Sequence, residues 1–179
     1  MTALRRDEPS WRSGFPFDVP AVAAVGDLAL DAPVTLLAGD NGTGKSTLIE
    51  AIAEAMGFAP EGGELTRLGE LPAVPRAVLD GALEPVLSMT KPRNGYFLRA
   101  ESFFNVARTV DENPGLLAAY GGQPLHGMSH GESFLALANE RFYPDGLFLL
   151  DEPEAALSPT GLLGLLRRMK SLTLRAVSS

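Results

Sequence analysis

The sequence predicts an α/β fold: a mainly parallel sheet with flanking helices and an irregular inserted subdomain. Three stretches carry that expectation. The run Val34-Thr35-Leu36-Leu37-Ala38 is continuously apolar and partly β-branched, the pattern of a strand buried on both faces of a parallel sheet. Gly39-Asp40-Asn41-Gly42-Thr43-Gly44-Lys45-Ser46-Thr47 follows at once and fits G-x-x-x-x-G-K-[ST], after which Leu48, Ile49, Ile52, Ala53 and Met56 recur at helical period until Gly57 supplies a stop. Gly146-Leu147-Phe148-Leu149-Leu150 is a second buried-strand pattern, and it ends in Asp151-Glu152.

The chemistry of the first motif follows from its residue types. Glycines let successive backbone N–H groups close around phosphate oxygens, and the following helix N-terminus adds partial positive charge. Lys45 is placed to reach the β- and γ-phosphates of a nucleotide, and the Ser46 hydroxyl to ligate Mg²⁺. The alternative is a glycine turn that carries a lysine, and strand, spacing and helix together argue against it. The second motif delivers its acids to the carboxyl edge of a sheet, where open α/β proteins bind ligands. Asp151 there can hold Mg²⁺ directly or through water. Glu152 can orient or deprotonate an attacking water. The bland alternative for the pair is a solvated acidic turn.

Between the motifs, residues 57–95 are rich in glycine and proline and read as loops with short helices or strands. Tyr96-Phe97-Leu98-Arg99-Ala100-Glu101 reads as a strand running into a helix with Phe103, Phe104, Ala107 and Val110 on one face. Ser129-His130-Gly131-Glu132 has the spacing of a capping box for a helix with Phe134, Leu135, Leu137 and Ala138 apolar, and a capped N-terminus is also an anion site. A last helix is expected from Ser158 as N-cap and Pro159 as first residue, with Leu162, Leu163, Leu165 and Leu166 forming its apolar face and Arg167, Arg168 and Lys170 at its C-terminus. The stretch from Leu172 to Ser179 is read as a short strand.

These motifs resemble the ATP-binding-cassette (ABC) class of P-loop ATPases. More narrowly, the chain is similar to small soluble bacterial AAA-family or ABC-like ATPases, distant relatives of the SMC and double-strand-break-repair ATPases. The resemblance rests on Gly39–Thr47, on Leu149-Leu150-Asp151-Glu152-Pro153-Glu154-Ala155-Ala156-Leu157-Ser158-Pro159, and on the segments 91–104 and 125–133. It covers about residues 15–160 and implies a P-loop NTPase fold of ABC type forming one domain over 1–179, with ATP and Mg²⁺ as cofactors. It implies an ATP-sandwich homodimer in which Ser129, His130, Gly131 and Glu132 stand where relatives contact the γ-phosphate held by the other subunit. His130 and Glu132 replace that motif's first paired glycine and its glutamine. It makes Glu101 the counterpart of the glutamine that meets metal and water in relatives; the competing role for Glu101 is acidic helix-N-terminal chemistry. Trp11, Phe15 and Phe17 precede the first strand, and Phe15 or Phe17 is the counterpart of an adenine-stacking aromatic, with core packing as the alternative. The switch histidine and later strands of such ATPases have no counterpart after Asp151, so the resemblance implies a C-terminally shortened member.

Composition bounds the rest. The 179 residues are 45% hydrophobic and 21% charged, enough for one core. No cysteine is present, which excludes a disulfide framework and any cysteine-based zinc site or nucleophile. Apolar runs fall short of a membrane span and the N-terminus lacks a signal-peptide core, so the expected location is the cytoplasm. The net charge of −7 argues against strong nonspecific DNA binding, although Arg93, Arg99 and Arg108 are read either as a local basic patch or as scattered solvated cations. A DNA or protein partner stays unspecified. Two rival functions remain: a nonhydrolysing nucleotide-binding module or remnant, and a P-loop small-molecule kinase.

Overall fold

The computed structural model describes residues 3–6, 14–15, 17–24, 26–65, 83–86, 92, 94–101 and 103–176. The chain divides into two compact units, Met1–Pro60 with Leu65–Lys91, and Glu61–Glu64 with Pro92–Ser179. Trp11, Arg93 and most of the glycine- and proline-rich stretch between 66 and 91 lie outside the described residues.

In the first unit, β1 (Ala3–Arg6) pairs antiparallel with β3 (Leu83–Val86). The single turn α1 (Pro20–Ala23) starts at a proline, whose fixed φ and missing N–H suit a first helical position. Helix α2 (Lys45–Ala55) springs from the glycine-rich loop and buries Leu48, Ala51, Ile52 and Ala53. Its end is a Schellman motif. Gly57 takes φ 89°, its N–H donates to the Glu54 carbonyl, and the Phe58 N–H donates to the Ala53 carbonyl. The buried Met56 and Phe58 flank that glycine.

One expectation fails here. Residues 34–38 form no strand and join neither ladder among the described residues. Val34 is 41% and Leu36 81% exposed, where burial on both faces was expected. An apolar, β-branched run favours extended backbone, but only a hydrogen-bonded neighbour makes it a strand.

In the second unit, β2 (Gly63–Glu64) pairs antiparallel with β4 (Asn94–Arg99), and β4 pairs parallel with β5 (Gly146–Asp151). The sheet order is β2-β4-β5, so β4 is central, and Tyr96, Phe97 and Leu98 are each 1% exposed. Mixed α/β architecture is thus present, with one parallel pair and two antiparallel pairs among the described residues. Helix α3 (Phe103–Glu112), α4 (Pro114–Ala119), a 3-10 turn (Leu125–Gly127) and α5 (His130–Arg141) lead from β4 to β5, and α6 (Pro153–Ala156) and α7 (Pro159–Ala176) follow it. Tyr96, Leu98, Phe103, Phe134, Leu137, Phe142 and Leu165 belong to one apolar core. A polar chain borders it: the Tyr96 hydroxyl meets that of Tyr120 at 3.2 Å, Tyr120 donates to Glu64 at 3.1 Å, and Arg141 pairs with Glu64. Burial, chiefly, pushes the Tyr120 phenol up to about 12.

The expected C-terminal strand is instead helix: α7 continues through Ala176, and residues 177–179 lie outside the described residues. No glycine or proline breaks the run after Gly164. The hydroxyls of Ser171 and Thr173 donate back to the carbonyls of Arg168 and Lys170, at 2.8 and 2.9 Å, and so fit a helix without competing for its end. Arg167, Arg168 and Lys170 therefore sit inside the helix. Its buried face is also narrower than expected: Leu165 is buried, but Leu163 and Leu166 are 57% and 50% exposed. On α3, Phe103, Ala107 and Val110 are buried as their period requires, whereas Phe104 is exposed beside the His126 ring.

Candidate functional site

The glycine-rich loop is shaped from within and braced from upstream. Gly44 caps α2 in the left-handed region, at φ 92° and ψ 21°, and a Cβ there would run into the Val19 side chain. The Ala21 N–H donates to the Thr43 carbonyl at 3.1 Å, so α1 fastens the loop's second half. Gly42, at φ 79°, has open space where a Cβ would go, and its requirement is one of backbone conformation alone. The Thr43 hydroxyl donates to the Asp40 carbonyl at 2.8 Å. The Lys45 ammonium donates to the carbonyls of Gly39 and Asp40, both at 2.8 Å. The lysine is therefore folded over its own loop, where phosphate oxygens would compete with those carbonyls for its protons. Residues 39–42 are exposed and approachable, while Ser46 and Thr47 are half-buried in the first turn of α2. Glycine backbone, one cation and a helix N-terminus form a donor set suited to a polyphosphate.

In the other unit, the parallel register of β4 and β5 sets Arg99 opposite Asp151. Asp151 is a buried acid, 7% exposed, with its Oδ2 at 3.8 Å from Arg99 Nε. Glu101 is exposed and lies 3.9 Å from the same guanidinium. Glu152 takes the left-handed region at φ 49° and ψ 48° and is exposed. Asp145 is the other non-glycine residue at positive φ among those described, but short Asp side chains tolerate this region and Glu does so less readily. A strained backbone that turns a carboxylate outward beside a buried acid is the kind of outlier that gathers at working sites. Asp151, with its oxygen ligands at a strand end, has the chemistry of a magnesium ligand. Of the arginines read as a basic patch, Arg99 is engaged with carboxylates, Arg108 is exposed, and Arg93 lies outside the described residues.

The capping box at α5 is present. Ser129 Oγ accepts the Glu132 N–H at 3.4 Å, and Glu132 Oε2 accepts both the Ser129 N–H, at 2.9 Å, and its hydroxyl, at 2.6 Å. The Ser129 hydroxyl first, and its N–H second, hold the Glu132 carboxyl below its ordinary value. The His130 and Phe103 rings meet in a T-shaped pair with centroids 5.2 Å apart. Ser158 caps α7 as expected, accepting the Gly161 N–H at 3.1 Å. The N-termini of α5 and α7 line an open hollow of about 380 Å³ that includes Ser129, Gly131, Glu132, Ser158, Thr160 and Gly161.

Three features escaped sequence reasoning. Val19 and Ala21 brace the loop, signalled in the sequence only by Pro20 as a helix start. Arg99 faces Asp151 through strand register. Asp111 anchors the turn before Ser129, accepting the backbone N–H of Leu125 at 2.7 Å and of His126 at 2.8 Å, with the His126 ring at 3.0 Å. Burial works to raise the Asp111 carboxyl, but the His126 and Leu125 N–H groups and the His126 ring outweigh it and hold the carboxyl below its ordinary value. Phe15 is 71% exposed and Phe17 half-buried.

The loop lies within a stretch that known proteins share. Residues 25–67 match the family model of an AAA domain. The AAA-domain match spans the whole loop and α2, and it supports a P-loop, ATPase-type chain that binds nucleotide. Comparison with curated proteins and with solved structures gives no match. No helix among the described residues is long and apolar enough to cross a membrane.

Proposed function

We propose that this chain is an ABC-like, magnesium-dependent ATPase that closes as an ATP-dependent homodimer. The observation that carries the reading is the loop of residues 39–47, with Lys45 folded over the Gly39 and Asp40 carbonyls inside the AAA-domain match. Bound Mg-ATP supplies a phosphoanhydride whose terminal phosphoryl is transferred to water. Backbone N–H groups of the loop and Lys45 bind the phosphates. Ser46 and Asp151 would each serve as a metal ligand, and Glu152 would take the proton of the attacking water. Glu152 suits that role because it is exposed and its backbone is turned into the left-handed region, next to a buried acid. Ser129, Gly131 and the α5 N-terminus bind the γ-phosphate of a partner copy, with Glu132 and His130 shaping that contact, and Glu101 stands near metal and water.

Glu152→Gln tests the reading. It removes the base and leaves every phosphate and metal contact in place. Turnover falls at least a hundredfold, as loss of general-base catalysis predicts. ATP stays bound, and the dimer is longer-lived by size-exclusion chromatography with ATP. Unchanged turnover contradicts the assignment of Glu152. Phosphoryl transfer to an added small-molecule acceptor turns the reading into that of a kinase.

A further inference from the structure

The residue opposite Asp151 is a cation already. In the β4–β5 register Arg99 and Asp151 are direct partners, so their side chains leave the same face of the sheet at its carboxyl edge. Arg99 Nε lies 3.8 Å from Asp151 Oδ2, and the other end of the guanidinium lies 3.9 Å from Glu101 Oε2. The Arg99 side chain is 20% exposed and that of Asp151 9%, whereas that of Glu101 is 84% exposed. The guanidinium therefore stands between a buried acid and a solvated one. The Phe97 ring, 5.9 Å from the guanidinium carbon, faces the arginine from two residues back on the same strand. A buried carboxylate is costly without a partner charge, and Arg99 is the cation that partners Asp151 here.

We propose that Arg99 is a built-in counter-cation that holds the place of the divalent metal on Asp151 and yields it when metal arrives. The inference rests on the reading of Asp151 as a metal ligand. Two positive charges cannot share one buried carboxylate without mutual repulsion, so the incoming metal displaces the guanidinium. Glu101 receives it: that carboxylate is already within ion-pair range and is exposed enough to adjust. The arrangement keeps Asp151 neutralised in the metal-free chain and makes metal binding a competition. Arg99 is in these terms a positioning residue that sets metal affinity, and Glu101 acts through it.

The test is Mn²⁺ binding to the full chain with a nonhydrolysable ATP analogue, followed by the loss of the free Mn²⁺ electron-spin signal. Arg99→Gln removes the competing charge and tightens Mn²⁺ binding about tenfold, as expected for deleting a unit charge some 4 Å from the site. The same variant lowers the metal-free melting temperature, because it leaves Asp151 without its partner. Glu101→Gln weakens Mn²⁺ binding more in the wild-type background than in the Arg99→Gln background, the coupling expected of a residue that acts in part through another. Equal or weaker Mn²⁺ binding by Arg99→Gln overturns the proposal and leaves Arg99 a structural brace. In the wild-type chain, whatever the variants' folding, the Arg99 Nε–H resonance shifts when Mg²⁺ is added, and a resonance that does not move overturns it too. Asp151→Asn separates the two levels. If it leaves Mn²⁺ affinity unchanged, the metal reading of Asp151 fails and takes the inference with it. If it weakens binding while Arg99→Gln fails to tighten it, the inference alone fails.

Discussion

Glu152 carries two properties that pull against each other, a strained backbone and a freely presented carboxylate. Replacing it with glycine relieves the left-handed strain, so Glu152→Gly stabilises the chain by about 1 kcal/mol while abolishing turnover. Urea unfolding beside a phosphate-release assay checks both halves. Asp111 sets a second residue-scale prediction. Its three hydrogen bonds to the turn at Leu125 and His126 favour its charged form, and its folded pKa lies below the unfolded value. Its contribution is therefore fully present above the ordinary aspartate value and is lost as pH falls through the depressed one. Asp111→Ala strands two backbone N–H groups and costs about 2 kcal/mol at neutral pH. Its stability deficit against wild type shrinks in acid, measured by urea unfolding across a pH series; a deficit that is flat into strong acid contradicts the assignment.

Helix starts are where local chemistry decides. Ser129 caps α5 and Ser158 caps α7, each by accepting an N–H in the first turn. Ser129→Ala and Ser158→Ala each cost about 1 kcal/mol by urea unfolding. If Ser129 also meets a partner copy's phosphate, Ser129→Ala lowers turnover more than Ser158→Ala does at equal stability loss. These caps, the Gly57 stop and the glycine loop were legible in the sequence because each is decided within a few residues. The run at 34–38 was misread for the opposite reason: its side chains ask for a strand, but a strand exists only with a neighbour, and no ladder among the described residues takes it in. The helix through Ala176 was missed similarly, since Leu172, Thr173 and Leu174 alternate as a strand would, while continuity with α7 decides their state. The pairing of Arg99 with Asp151 is set by strand register, which leaves no mark in either residue's sequence neighbourhood.

At the scale of the whole molecule, the AAA-domain match ties the loop and α2 to nucleotide binding, and catalysis rests on the roles proposed for Asp151 and Glu152. A ligand that binds only the folded chain stabilises it by mass action, about 2.7 kcal/mol at a hundredfold excess over its dissociation constant. Mg-ATP therefore raises the melting temperature of the wild-type chain, and Lys45→Ala, which removes the cation folded over the loop, abolishes the rise. The most direct test of the account is Mg²⁺-dependent phosphate release from ATP by the purified chain, with Lys45→Ala alongside. The expected result is turnover that requires Mg²⁺ and disappears in the variant. ATP that binds through Lys45 but is never hydrolysed would contradict it and leave a nucleotide-binding module in place of an ATPase.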